Sequence, residues 1–281
     1  MRKFNPLSPY KFGGKELDRT NGLNWYHQGF RPFGAIIPRT PTIDPLAEKY
    51  YSISPYAQYA NNPVNYVDPI GMDIWEINQN GDIFNRIKDK TQDAFYMVAK
   101  DADGNYQRTF TTDAEGNKNY NSISFKYGTV ESQRTTALNS TDTYDTYKVK
   151  GDNNGTQMFE FMAQNTTVEW SQVQTGIEGD KGLNFLTTSH DAATERGIKH
   201  LINGQLNSGY VIREFNHSHP TTPYPSGLGT TRKSDIGVVT TITEINKYWK
   251  YNVSPVFNIY HVPTKTYIPY SPNSQIKDFP K

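Results

Sequence analysis

The run Phe215-Asn216-His217-Ser218-His219-Pro220, followed by Ser234-Asp235, holds the side chains in this sequence whose types and spacing best suit chemistry. In an extended strand, side chains two apart share a face, so a strand over 211–219 places His217 and His219 side by side. Two imidazoles one strand repeat apart can converge on a metal ion. Asp235, at the head of a predicted helix, can reach the same point as a third ligand. Two neutral His and one carboxylate leave Zn2+ a residual positive charge and a fourth position for water, whose pKa such a site lowers to roughly 7. A further carboxylate is then needed to take and return the proton. The alternative for the two His is a partly exposed polar strand face.

The chain has no Cys, which excludes disulfides, thiolate zinc sites, iron–sulfur clusters and a Cys nucleophile. Any metal site must therefore draw on His, Asp and Glu, and the six His are His27, His190, His200, His217, His219 and His261. His190, between a predicted strand and a predicted helix, reads as a cap or solvated turn. His200 and His261 read as packing or surface residues.

The elements that must position this constellation lie in the last part of the chain. Met158-Phe159-Glu160-Phe161-Met162-Ala163 predicts a short helix, and 167–174 and 183–188 alternate as strands. Ile198, Leu201 and Ile202 give 191–206 a helical stripe, and Val238, Ile242, Ile245 and Trp249 give another to a helix capped by Ser234. Residues 255–261 and 266–270 predict a closing hairpin. Further upstream, 73–128 alternates in strand fashion around Asn80-Gly81, a strong hairpin signal. The polar, Thr- and Asp-rich stretch 129–156 predicts a loop or boundary. Residues 1–72 are dense in Pro, Tyr and Asn, which predicts short strands and turns.

Composition bounds the function classes. Aromatics at 14%, with many Thr, Asn and Gly, fit a strand-and-turn protein better than a helical bundle. A formal net charge of +1 lacks the basic excess of a generic nucleic-acid binder. No run approaches the roughly 18 apolar residues of a membrane span. The N-terminal Met1-Arg2-Lys3-Phe4-Asn5-Pro6 lacks the apolar core of a secretory signal.

Two resemblances add to this reading. Tyr10-Lys11-Phe12-Gly13-Gly14-Lys15-Glu16-Leu17-Asp18, Gly22-Leu23-Asn24-Trp25-Tyr26, Asp44-Pro45-Leu46, Asn61-Asn62-Pro63 and Asp68-Pro69-Ile70-Gly71-Met72 together resemble the RHS repeat-associated core. That resemblance covers about residues 10–72. It implies the tail of a large YD-repeat shell that encloses a variable C-terminal toxin and is cleaved near Met72, with Asp44 and Asp68 as the paired carboxylates. Asp44-Pro45-Leu46-Ala47 departs from the family by lacking the Gly of its Asp-Pro-x-Gly motif.

Over about 157–270, Glu … His217-Ser218-His219-Pro220 … Asp235 resembles the JAMM (JAB) metallopeptidases, and more narrowly the JAB-like toxin domains found behind RHS cores. The resemblance implies His217, His219 and Asp235 as zinc ligands. It also implies a Glu base, for which Glu169 on the strand after the first helix is the choice. Glu160 stays open as an alternative. Glu214 is disfavoured, because on its strand it faces away from His217. The family's oxyanion-stabilising Ser, three residues before the Asp, is Arg232 here; Ser226, Thr231, Ser234 or Arg232 itself are the substitutes.

The expected architecture is α+β: a β-rich RHS tail (1–72), a hairpin module (73–156) and a JAB/JAMM-like mixed sheet flanked by helices (157–281). The implied function is a zinc-dependent toxin that cleaves a peptide or isopeptide bond and is delivered into a target cell as part of a larger RHS protein. Its expected partners are a target-cell protein, a cognate immunity protein and the rest of the shell, with no nucleic acid. The competing readings are an inactive JAB-fold binding module and a nuclease toxin.

Overall fold

Asn80-Gly81 turns the chain as its type predicts. Gly81 takes φ +78°, which an L side chain rarely adopts, and its N–H donates to the Asn78 carbonyl. This turn joins β4 (Asp73–Ile77) to β5 (Ile83–Lys88). The computed structural model describes residues 17–18, 25–27, 32–34, 73–89, 91–207, 209–230 and 234–279. Asp44, Asp68, Met72, Thr231 and Arg232 lie outside the described residues.

The chain divides into two compact units, 1–71 and 72–281. In the first, β1 (Leu17–Asp18), β2 (Trp25–His27) and β3 (Pro32–Gly34) form an antiparallel sheet in that order.

In the second unit, β6 (Gln92–Lys100) and β10 (Ser122–Lys126) join the first hairpin in the order β10-β6-β4-β5, and β4 runs parallel to β6. Between them, β7 (Tyr106–Arg108) pairs with β6, and β8 (Phe110–Thr112) pairs with β9 (Lys118–Tyr120). The expected hairpins are present. They are not a separate module, because Trp75 stacks on Phe95 at 4.7 Å and both rings meet Tyr147 edge-on, inside one core with Met158, Phe159, Met162 and Trp170.

The stretch 129–156, expected as a loop, forms β11 (Val130–Ala137), β12 (Thr143–Lys150) and the start of α1 (Asp152–Asn165). A polar composition misleads here because β12 alternates, with Asp145, Tyr147 and Val149 buried and their neighbours more exposed. Thr135 and Gln133 donate to the buried Asp145 carboxylate and so allow it to lie there. The division expected at 156/157 falls within α1.

The main sheet adds β13 (Ser171–Thr175), β14 (Leu183–Thr188), β15 (Ile212–His219), β16 (Val256–His261) and β17 (Thr266–Pro269). Its order is β11-β12-β14-β13-β15-β16-β17, antiparallel except for β15 with β16. One face packs against α1 through Tyr147, Leu186 and Tyr260. The other packs against α2 (Gly197–Asn203) and α3 (Ser234–Tyr248) through Val173, Phe185, Phe215 and Ile259. Among the described residues, no helix is long and apolar enough to cross a membrane.

A row of amides crosses the α1 face of this sheet. Asn258 donates to Asn216, Asn216 to Gln172, and Gln172 to Asn184, each at 2.9 Å, and Asn184 donates to the Gly151 carbonyl at 3.0 Å. All four are buried. A one-residue slip of β15 would break two of these bonds and move every side chain of the strand to the other face, so the row fixes the register that aims the histidines.

Trp75→Ala is expected to lower unfolding stability by about 3–5 kcal/mol, the usual cost of truncating a buried large aromatic. Urea unfolding of the full chain followed by far-UV circular dichroism checks this. An unchanged midpoint would contradict a core shared between the two sheets.

Candidate metal centre

In β15 the strand period brings His217 and His219 onto the face covered by α2 and α3, where they are 3% and 5% exposed. His217 stands opposite Ser171 of β13 and Ile259 of β16, and His219 stands opposite His261. Glu169 was expected on a strand beginning at 167. The strand begins at Ser171, and Glu169 lies in the irregular segment just ahead of it. The reason is that this segment's backbone bonds go elsewhere. Thr167 N–H donates to the Gln79 carbonyl, Glu169 N–H to the Asp191 carbonyl, and Trp170 N–H to Ser218 Oγ, while Thr188 Oγ1 donates to the Glu169 carbonyl. Glu169 is thus held from several elements at once.

Four groups converge. His217 Nε2 lies 3.2 Å from Glu169 Oε2 and 3.6 Å from Asp235 Oδ1. His219 Nε2 lies 3.2 Å from Asp235 Oδ2 and 4.0 Å from Glu169 Oε1. Asp235 arrives from the first turn of α3 and is itself buried. Its Oδ2 accepts the N–H and the hydroxyl of Ser226 at 2.6 and 2.8 Å. Ser226, expected as a substitute oxyanion donor, therefore directs both donors at the Asp235 carboxylate. Ser234 is exposed, and its φ of +55° is not the extended backbone of a Ser N-cap.

The donor set fits a tetrahedral cation. Ligand atoms about 2.0–2.1 Å from a tetrahedral zinc stand roughly 3.4 Å from one another, near the 3.6 and 3.2 Å that separate His217 Nε2 and His219 Nε2 from the Asp235 carboxylate. Glu169, His217 and His219 form a buried group able to hold a metal ion, and Asp235 adds a fourth donor beside them.

The electrostatics favour a positive charge at this point. Burial alone would pull the His217 imidazolium down, but Asp235, Glu169 and Glu195 outweigh it and push the group up to about 9. Burial works against the Asp235 carboxylate as well, yet His217, His219 and the Ser226 N–H hold it well below the usual range. Burial raises Glu195 to about 7, partly offset by His217 and by the Gly197, Ile198 and Ser171 donors.

The other candidates stay apart. Glu160 accepts the Tyr267 hydroxyl at 2.9 Å, and Glu214 accepts the Asn216 amide on the face away from His217. His190 sits at φ +58° with its nitrogens 3.4 Å from Asp82 and 3.5 Å from Asp145. His200 stacks on Tyr144, and His261 Nδ1 pairs with Thr264 Oγ1.

Three residues at the site were not read from the sequence. Ser171 Oγ lies 2.9 Å from His217 Nδ1, Thr222 Oγ1 lies 3.1 Å from His219 Nδ1, and the buried Glu195 adds a negative charge that acts on His217. Glu195 had a local signal, an acid just ahead of the helical stripe. The Ser171 contact depends on cross-strand register, which local sequence does not carry.

Residues 147–240 match the family model of JAB-like toxin 1. The match runs from β12 into α3 and contains Glu169, His217, His219 and Asp235. It supports a JAB-like toxin domain in this part of the chain. No curated protein and no solved structure matches the chain.

With chelator present, the melting temperature of the full chain is expected to fall between pH 6.5 and 9. His217 is raised in the fold from 6.5 to about 9, so its stabilising share is complete below pH 6.5 and is lost as pH rises through about 9. Glu195, raised from 4.5 to about 7, adds the same trend at lower pH. Thermal denaturation of wild type and His217→Ala across this window checks it. An equal slope in the two proteins would contradict the assignment.

Proposed function

We propose that this chain carries a zinc-dependent hydrolase of peptide or isopeptide bonds, acting as the toxin portion of a larger RHS-type protein. The convergence of Glu169, His217, His219 and Asp235 in one buried cluster, inside the segment that matches JAB-like toxin 1, carries this reading. His217 and His219 would hold the ion through Nε2, and Asp235 would hold it through its carboxylate. A bound zinc ion supplies Lewis acidity, which acidifies water and polarises a carbonyl.

The remaining work belongs to the chain. Glu169 takes the proton of the attacking water on its carboxylate and returns it to the leaving nitrogen. Its tethered backbone keeps the carboxylate in place without a ligand bond of its own. Ser226 positions Asp235, and the buried walls of the cluster limit the entry of bulk water.

The motifs over residues 10–72 support placing the chain at the end of an RHS shell, with Asp44 and Asp68 cutting near Met72. In that setting the toxin is delivered into a target cell, acts on a protein there, and is restrained in its producer by a cognate immunity protein.

Expression of the full chain without its neighbouring reading frame is expected to arrest growth of the host. Glu169→Gln should relieve the arrest while the purified protein keeps its zinc, consistent with a general base contributing about 10²–10⁴-fold to rate. His217→Ala should relieve it and lose the zinc. Arrest that persists in Glu169→Gln would remove the hydrolase reading and leave a binding module of the same fold.

A further inference from the structure

Each of the three proposed ligands has a hydroxyl behind it. Ser171 Oγ lies 2.9 Å from His217 Nδ1, Thr222 Oγ1 lies 3.1 Å from His219 Nδ1, and Ser226 bonds Asp235 Oδ2 through its N–H and its hydroxyl. Ser171 is fully buried and stands opposite His217 in the β13–β15 ladder. Thr222 and Ser226 stand instead on the loop after β15. Asp235 Oδ2 also lies 3.2 Å from His219 Nε2, so the contacts close a ring: Thr222, His219, Asp235, Ser226 and back along the chain.

The arch between these two feet is Pro223-Tyr224-Pro225. Each Pro fixes its own φ and drives the residue before it into extended backbone, so Thr222 and Tyr224 are stiffly coupled. Among the described residues, the contact with His219 is the one hydrogen bond made by 220–225. Beyond the arch the chain is held more firmly. The Ser226 carbonyl accepts the Ile236 N–H at 3.4 Å, the Gly227 carbonyl accepts the Thr230 N–H at 3.0 Å, and Leu228 packs against the α2/α3 core. The first foot therefore hangs on the His219 ring. Tyr224 lies within about 7 Å of each foot along the backbone. Its side chain is 38% exposed.

We infer that Thr222 is a positioning residue for His219, and that Thr222–Ser226 is a strap footed on two ligands whose conformation follows the filling of the metal centre; this rests on the metal reading given above. An imidazole that gives its Nε2 lone pair to a cation keeps its proton on Nδ1, and Thr222 Oγ1 is the acceptor placed to take it. Without the ion the proton can sit on either ring nitrogen, and the contact has no fixed direction. Thr222 thus acts through His219. In return, a loaded centre holds Thr222, and the two prolines carry that order to the Tyr224 ring. The strap in this way couples metal loading to the shape of the rim that a peptide substrate meets.

The test measures zinc affinity of the full chain by competition with a chromophoric chelator, alongside fluorine NMR of a 3-fluorotyrosine placed only at Tyr224. Thr222→Val, which keeps the shape and removes the hydroxyl, is expected to weaken zinc binding by about 10–100-fold. Thr222→Ser, which keeps the hydroxyl, should bind as tightly as wild type. Zinc should shift and narrow the Tyr224 line in wild type and in Thr222→Ser. In Thr222→Val at saturating zinc the line should stay as it is without metal, a change that general loosening of the fold would not confine to one ring. Pro223→Gly, which keeps both feet and frees the arch, should hold zinc as wild type does while its line stays broad. A wild type that binds zinc with its Tyr224 line unmoved overturns this inference alone, as does a Thr222→Val that binds as tightly as wild type. A wild type that binds no zinc overturns the metal reading, and this inference with it.

Discussion

Three carboxylates, Glu169, Asp235 and Glu195, are buried within reach of two imidazoles, and most of the surrounding structure answers the cost of placing them there. A carboxylate taken from water costs several kcal/mol unless donors replace the lost hydration. Each of the three is tied to its own element in a different way. Asp235 draws the loop after β15 inward through the Ser226 N–H and hydroxyl. Glu195 gathers the first N–H groups of α2, and Glu169 is fixed through its backbone by Asp191 and Thr188, with Thr167 just ahead of it bonded to Gln79 of the β4–β5 turn. The loop, the two helices and the first sheet are therefore placed partly by where negative charge has to be satisfied.

Apolar packing alone would not give that accuracy. The α2/α3 face is closed by Val173, Phe185, Phe215 and Ile259, which tolerate small shifts. The amide row on the opposite face does not, since each amide donates to a specific acceptor on the next strand. The sheet is thus pinned from one side so that its other side can present chemistry. Gly155 serves the same end, because a Cβ there would come within 2.3–2.6 Å of the Asn184 side chain and push α1 off the row.

The sequence made some of this legible, for definable reasons. His217 and His219 are two apart in an apolar-edged run, so the strand period alone places them together. Asp235 heads a helix whose stripe repeats clearly through Ile242 and Ile245. Other features have no local signature. Ser171 meets His217 only through the β13–β15 register. The strand over 143–150 was hidden because a buried Asp145 breaks the apolar alternation, and its partners sit on the neighbouring strand. Glu169 was assigned to a strand because Val168 and Trp170 flank it, although tertiary bonds to Asp191 and Ser218 hold that segment instead.

The placement of β4 has a mechanical meaning. It starts at residue 73, next to the end of the first unit, and it lies between two neighbours: antiparallel β5 on one side and parallel β6 on the other. A pull applied at that end and directed along the strand loads it lengthwise. It meets both ladders in shear, together with Trp75 and Ile77 seated in the core like pegs, where an edge strand would peel one bond at a time. Tension on the N-terminal side of this unit is thus borne by the whole length of β4 before any of it reaches the turn at Asn80-Gly81 that braces the segment carrying Glu169.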